Sequence, residues 1–178
     1  MFQKIDQVDV ILDPYKEVIG NDFEGYKNHV YRVLYCYFQL NPSISANDKE
    51  KAIIASCFHD LGLWTKQTVA YLEPSIDLAV AYIKDKLQDD YIPEVTRLIS
   101  EHHKLSTYTG EYANNVELFR RADLADFSYG LALGKIPRSF YKELLKAFPD
   151  KGFHWMLFKG ALAWFSKHPL TMPPFMKR

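Results

Sequence analysis

The stretch FEGYKNHVYRVLYCYFQL, Phe23 to Leu40, decides the fold class. Val30, Val33, Leu34, Tyr37 and Phe38 recur at steps of three and four, the spacing of one helical face. Asn41-Pro42-Ser43 stops the helix, because the residue before a proline is pushed out of helical geometry. The same period returns along the rest of the chain. Asn47-Asp48-Lys49-Glu50 reads as a capping box opening a helix that ends near His59-Asp60, where Gly62 permits a C-terminal turn. Leu63 to Glu73 reads as a loop, and Pro74 as the first position of a helix reaching about Leu87. Pro93 opens another that ends near His103, and Thr107-Tyr108-Thr109-Gly110 leads to a helix capped by Asn114 or Asn115 and carrying Asp123. Pro137 and Asp150 start two more, and His168-Pro169 begins a proline-containing tail. With no repeat, linker or low-complexity tract, the expectation is all-α: one helical bundle spanning 1–178.

Bulk properties narrow the function classes. Hydrophobic residues make up 48% and charged residues 25%, ordinary for a globular chain able to build its own core. Twenty-two basic residues balance 22 acidic ones, so there is no field drawing the chain to nucleic acid or an anionic membrane. No uncharged apolar run is long enough to span a bilayer, and the N-terminus lacks a signal-peptide pattern, which makes the cytoplasm the expected location. Cys36 and Cys57 lie in apolar helical stretches and read as buried free thiols. The aromatic segment Phe153, Trp155, Phe158, Trp164 and Phe165, within helices expected over 137–168, either completes the core or forms a homodimer face.

Chemistry concentrates in a few positions. His29 shares its helical face with Tyr26, Val33 and Cys36, so it should point inward. Behind His59 lie Ala52, Ala55 and Ser56, side chains small enough to admit a neighbouring helix closely. Adjacent helical residues diverge by about 100°, so His59 and Asp60 reach one ion only if the helix ends there. Asp123 follows Val116 and Phe119 and precedes Phe127. A carboxylate on such a face is costly unless it is paired or bound to metal. Arg120 is the alternative partner, and Asp126 shares the face. Two imidazoles and two carboxylates can surround one divalent ion and leave positions open for water and substrate.

The ordered set His29, His59-Asp60, Asp123 resembles that of the HD-domain metal-dependent phosphohydrolase superfamily, over roughly Asp22 to Phe127. The resemblance implies an HD-type bundle holding a metal ion through His29, His59, Asp60 and Asp123. It also implies hydrolysis of a phosphate ester or anhydride, on a nucleotide or another small phosphorylated metabolite, by a metal-activated water. Asp60 would then serve in catalysis as well as ligation. Glu73 would be an acidic residue orienting water or the leaving group, unless it merely favours the helix start. In Glu101-His102-His103-Lys104, His102 faces inward with Val95, Leu98 and Ile99, while His103 lies nearer the polar boundary. Because consecutive residues point apart, one ion is expected, with His102 assisting proton transfer and His103 binding phosphate. Arg32 and Arg120, each one turn from a proposed ligand, are the candidate phosphate clamps, and Lys66 is a weaker one. Imidazole ligation suits Mn, Fe, Co, Ni or Zn better than Mg. Two rival readings stand: a non-phosphate, oxygenase-like metalloenzyme on the same scaffold, and a non-catalytic metal- or nucleotide-binding module.

Overall fold

A computed structural model describes residues 2–176. The all-α expectation holds, with no strand among the described residues. In chain order the helices are α1 (Asp6–Leu12), α2 (Lys16–Ile19), α3 (Phe23–Leu40), α4 (Ala46–Phe58), α5 (Gly62–Thr65), α6 (Leu72–Lys86), α7 (Ile92–Glu101), α8 (Ala113–Phe127), α9 (Arg138–Ala147) and α10 (Phe153–Lys167), with short 3-10 turns at 13–15, 20–22 and 89–91. No helix is long and apolar enough to cross a membrane among the described residues.

α3 is the central element. It packs against α4, α8, α9 and α10, and Val30, Val33, Leu34, Cys36 and Tyr37 are fully buried along it. A helix apolar on nearly every side has to be enclosed, which is why the others surround it. α4 adds Ala52, Ala55 and Ser56, all without exposed surface, and their small side chains let α7 lie close. α8 contacts both α3 and α7. The ends of α4 and α7 and the middles of α3 and α8 are thereby brought to one place.

Several local expectations change. α4 is capped by Ser45, whose hydroxyl accepts from the Asp48 amide at 3.1 Å, and Asn47 lies inside the helix. The true cap sits two residues earlier because Ser45 takes the extended conformation a cap requires. Glu50 instead accepts from the Tyr91 hydroxyl at 2.9 Å. The segment expected as a loop from Leu63 contains the single turn α5, and α6 begins at Leu72, so Pro74 is its third residue. Proline is tolerated there because the first-turn amides have no partner within the helix. Asn114 and Asn115 lie inside the first turn of α8, whose cap is Tyr112.

Gly62 also differs in its reason. Its φ is not positive, and α5 starts on it. A Cβ there would lie 2.3 Å from the Tyr71 carbonyl oxygen, while its amide donates to Ser75 Oγ at 2.9 Å. Glycine therefore lets the start of α6 press against the turn that holds Asp60. At the C-terminal end, α10 turns Met156, Leu157 and Trp164 toward a cavity and leaves Trp155, Phe158, Leu162 and Phe165 exposed on its outer side.

Candidate metal centre

α4 ends at Phe58, so His59 and Asp60 sit in a turn where both side chains can face one point. The structure brings His29, His59, Asp60 and Asp123 together with His102 and His103. His29 Nε2 lies 3.0 Å from His59 Nε2, 3.5 Å from Asp123 Oδ1 and 3.8 Å from Asp60 Oδ2. His59 Nε2 is 3.3 Å from Asp60 Oδ2 and 3.6 Å from Asp123 Oδ1. Two ligand atoms about 2.1 Å from an ion and at right angles to each other are about 3 Å apart, the spacing of the two imidazoles.

Three of the rings are oriented by a hydrogen bond on the nitrogen facing away. His29 Nδ1–H donates to Asp126 Oδ2 at 2.7 Å, His59 Nδ1–H to the Ser56 carbonyl at 2.8 Å, and His102 Nδ1–H to the Ile99 carbonyl at 2.7 Å. In each case Nε2 is left toward the cluster, as in metal sites where the outer hydrogen bond sets the tautomer. Phe153 stacks on His29 with centroids 4.3 Å apart and further limits its tilt.

The donor set fits a metal ion. Asp60 Oδ1 and His102 Nε2 are buried without a hydrogen-bond partner, 3.5 Å apart. Such orphaned groups are costly in an interior unless something binds them. Three overlapping trios have ligand atoms within 4.8 Å of one another: His29, His59 and Asp123; His59, Asp60 and His102; His102, His103 and Asp123.

The expectation that His102 and His103 diverge is overturned. α7 stops at Glu101, and both residues lie in the turn beyond it, with ring centroids 3.9 Å apart. His103 Nε2 stands 3.9 Å from Asp60 Oδ1 and its Nδ1 3.7 Å from Asp123 Oδ2. The Tyr71 hydroxyl, which no sequence signal marked, shares a hydrogen bond with His103 Nε2 at 2.7 Å. The divergence of these two side chains was the ground for expecting one ion, and that ground falls.

Arg32 is corrected from phosphate clamp to internal support. It is fully buried, with Nε 2.7 Å from Asp126 Oδ1, Nη2 3.0 Å from Asp126 Oδ2 and Nη1 2.9 Å from the Phe148 carbonyl. Asp126 also accepts from the Tyr141 hydroxyl at 2.7 Å, so it braces His29 from behind while Asp123 faces the cluster. Arg120 does not pair with Asp123. It donates to Glu117 at 2.8 and 2.9 Å and to the Lys104 carbonyl at 3.0 Å, and it borders a cavity of about 70 Å³ beyond His103 and Asp123. Glu73 is exposed in the first turn of α6 and lines neither this cavity nor the one beside His29. Lys66 is exposed as well. His154 is committed to Asp150 and to the Asp126 carbonyl, and His168 packs at a tilt against Trp164.

Charge is organised accordingly. Burial pulls the His59 pKa down, but the Asp60 and Asp123 carboxylates outweigh it and raise it to about 10. Burial lowers His29 despite Asp126, and burial together with His102 takes His103 down to about 3. Burial acts to raise the three carboxyls, yet His59 and His102 hold Asp60 well below its ordinary range, His59, His102 and His103 hold Asp123 below it, and Arg32 does the same for Asp126. In the metal-free protein His59 is thus the charged imidazole, and its Nε2–H donates to neutral His29.

A pH dependence follows. The folded pKa of His59 is above the roughly 6.5 of an unfolded histidine, so its stabilising contribution is complete below about pH 6.5 and drains away as pH rises through about 10. A metal needs that nitrogen unprotonated. Metal uptake near pH 8 is therefore expected to release about one proton, with apparent affinity rising about tenfold per pH unit. Calorimetry in two buffers of different ionisation heat counts that proton, and a count of zero would contradict the assignment.

No protein-family model, curated protein or solved structure matches this chain.

Proposed function

We propose that the protein is a metal-dependent hydrolase of the HD-domain type, acting on a small phosphorylated molecule. The observation carrying the metal half is the convergence of His29, His59, Asp60 and Asp123 with outward nitrogens already tied. The reaction class rests on the resemblance of the ordered set. When bound, the ion polarises the scissile group and lowers the pKa of its water. Asp126, Ser56 and Ile99 keep three imidazoles aimed inward, and Asp60 and Asp123 supply the negative charge. His103 borders both cavities, which supports a role for it in hydrogen-bonding a ligand.

One observation favours the oxygenase-like rival: among the described residues, no lysine or arginine lines the cavity beside His29 and Asp60. The trio His102, His103 and Asp123 also offers a second ion position sharing Asp123. Metal analysis of natively purified protein should find one or two equivalents of a transition metal. A screen over phosphomonoesters and nucleotides should then give metal-dependent phosphate release. A metal-replete protein that releases phosphate from none of them would reject the phosphohydrolase half alone.

A further inference from the structure

Beside the cluster lies a cavity of about 110 Å³ whose floor is polar and whose walls are not. His29, Asp60 and His103 open onto it. Val69, Phe127, Leu157, Trp164 and Phe175 are among the side chains that enclose it, and no lysine or arginine lines it among the described residues. The roof comes from α10 and the tail after it. Trp164 Nε1 donates to the Thr171 carbonyl at 2.8 Å and folds the tail back, which sets the Phe175 ring 5.0 Å from His103 and 5.3 Å from Tyr71.

We propose that the ligand of this site has a compact apolar body, about one aromatic ring in size, joined directly to the polar group that seeks the metal. The proposal rests on the metal reading above and specifies its substrate class. An apolar cavity of about 150 Å³ suffices for benzene, and this one is of the same order. A nucleoside is larger, and its ribose hydroxyls and base edges would meet walls that offer them no hydrogen-bond partners, at the cost of burying unpaired polar groups. Among the described residues, the two arginines nearest the cluster are held by Asp126 and Glu117, and neither lines this chamber. Recognition then falls to apolar burial around a single polar head, the common composition of small-molecule sites.

Gly160 provides a way to fill the chamber without touching a ligand atom of the cluster. It lines the cavity from α10, and a Cβ there meets nothing within 4 Å. Gly160→Leu exchanges a poor helix former for a good one, so the variant should fold.

The test uses the metal-loaded full chain with benzohydroxamate and acetohydroxamate, which present the same chelating head and differ in phenyl against methyl. Calorimetry should find benzohydroxamate about 30-fold tighter, equivalent to about 2 kcal/mol, as expected for burying a ring. In Gly160→Leu that ratio should collapse to within about threefold of unity, with the same metal content as the parent. A ratio near one in the parent at full metal loading would overturn the chamber assignment and leave the metal reading intact. Failure to take up metal would overturn both.

Discussion

Arg32→Ala is expected to cost about 3–5 kcal/mol of stability, the range for removing one partner of a buried ion pair. Arg32 has no exposed surface, and all three of its donating nitrogens are used, two on Asp126 and one on the Phe148 carbonyl. Without it, Asp126 becomes a buried carboxylate facing only His29 and the Tyr141 hydroxyl, and the loss of the guanidinium charge lets its pKa rise. Since Asp126 also holds the His29 ring, metal affinity should fall by about 10- to 100-fold, the usual effect of losing a group that orients a ligand. Arg32→Lys should recover only part, because a point charge cannot span both carboxylate oxygens. Urea denaturation reads the first effect, and metal titration under native conditions the second. A phosphate clamp would behave otherwise, lowering kcat/KM with stability intact. A stability change below about 1 kcal/mol would therefore return Arg32 to the substrate-binding role expected from its position in the sequence.

Asp60→Ala should reduce metal affinity by at least about 100-fold, the upper end of what even an orienting group is worth, and abolish metal-dependent turnover. Asp60 Oδ2 is 3.3 Å from His59 Nε2, and Oδ1 is a buried acceptor without a hydrogen-bond partner. In the metal-free state the substitution removes that orphaned acceptor and also removes a counter-charge of His59, two effects of opposite sign. Helicity should therefore persist while the metal site fails. Far-ultraviolet circular dichroism and metal content measured on the same sample separate these outcomes. Full metal occupancy in the variant would remove Asp60 from the ligand set.

The inward faces of His29 and Asp123 were legible because both lie in helices with apolar neighbours one turn away, and that pattern is local. The turn at His59-Asp60 was legible from Gly62, although the reason for the glycine was not: its need for a hydrogen in place of a side chain comes from Tyr71, just ahead of α6. The convergence of His102 and His103 was misread because helical divergence was carried one residue past the end of α7. Tyr71 left no mark, since nothing near it in the chain predicts that it meets His103.

Period, caps and breakers act over a few residues, and they suffice to make the protein all-α and to turn the apolar faces of α3 and α8 inward. Which charge meets which depends on how the helices pack. Arg32 lies one turn from His29 and Arg120 one turn from Asp123, equivalent positions along a helix, yet packing hands Arg32 to Asp126 on α8 and Arg120 to Glu117 on its own helix. The chamber is likewise a tertiary product, closed by α10 and a tail that Trp164 folds back over His103. Helix formation is a short-range free energy, whereas the partner of a buried charge is chosen among distant groups by the cost of leaving either one alone in the interior.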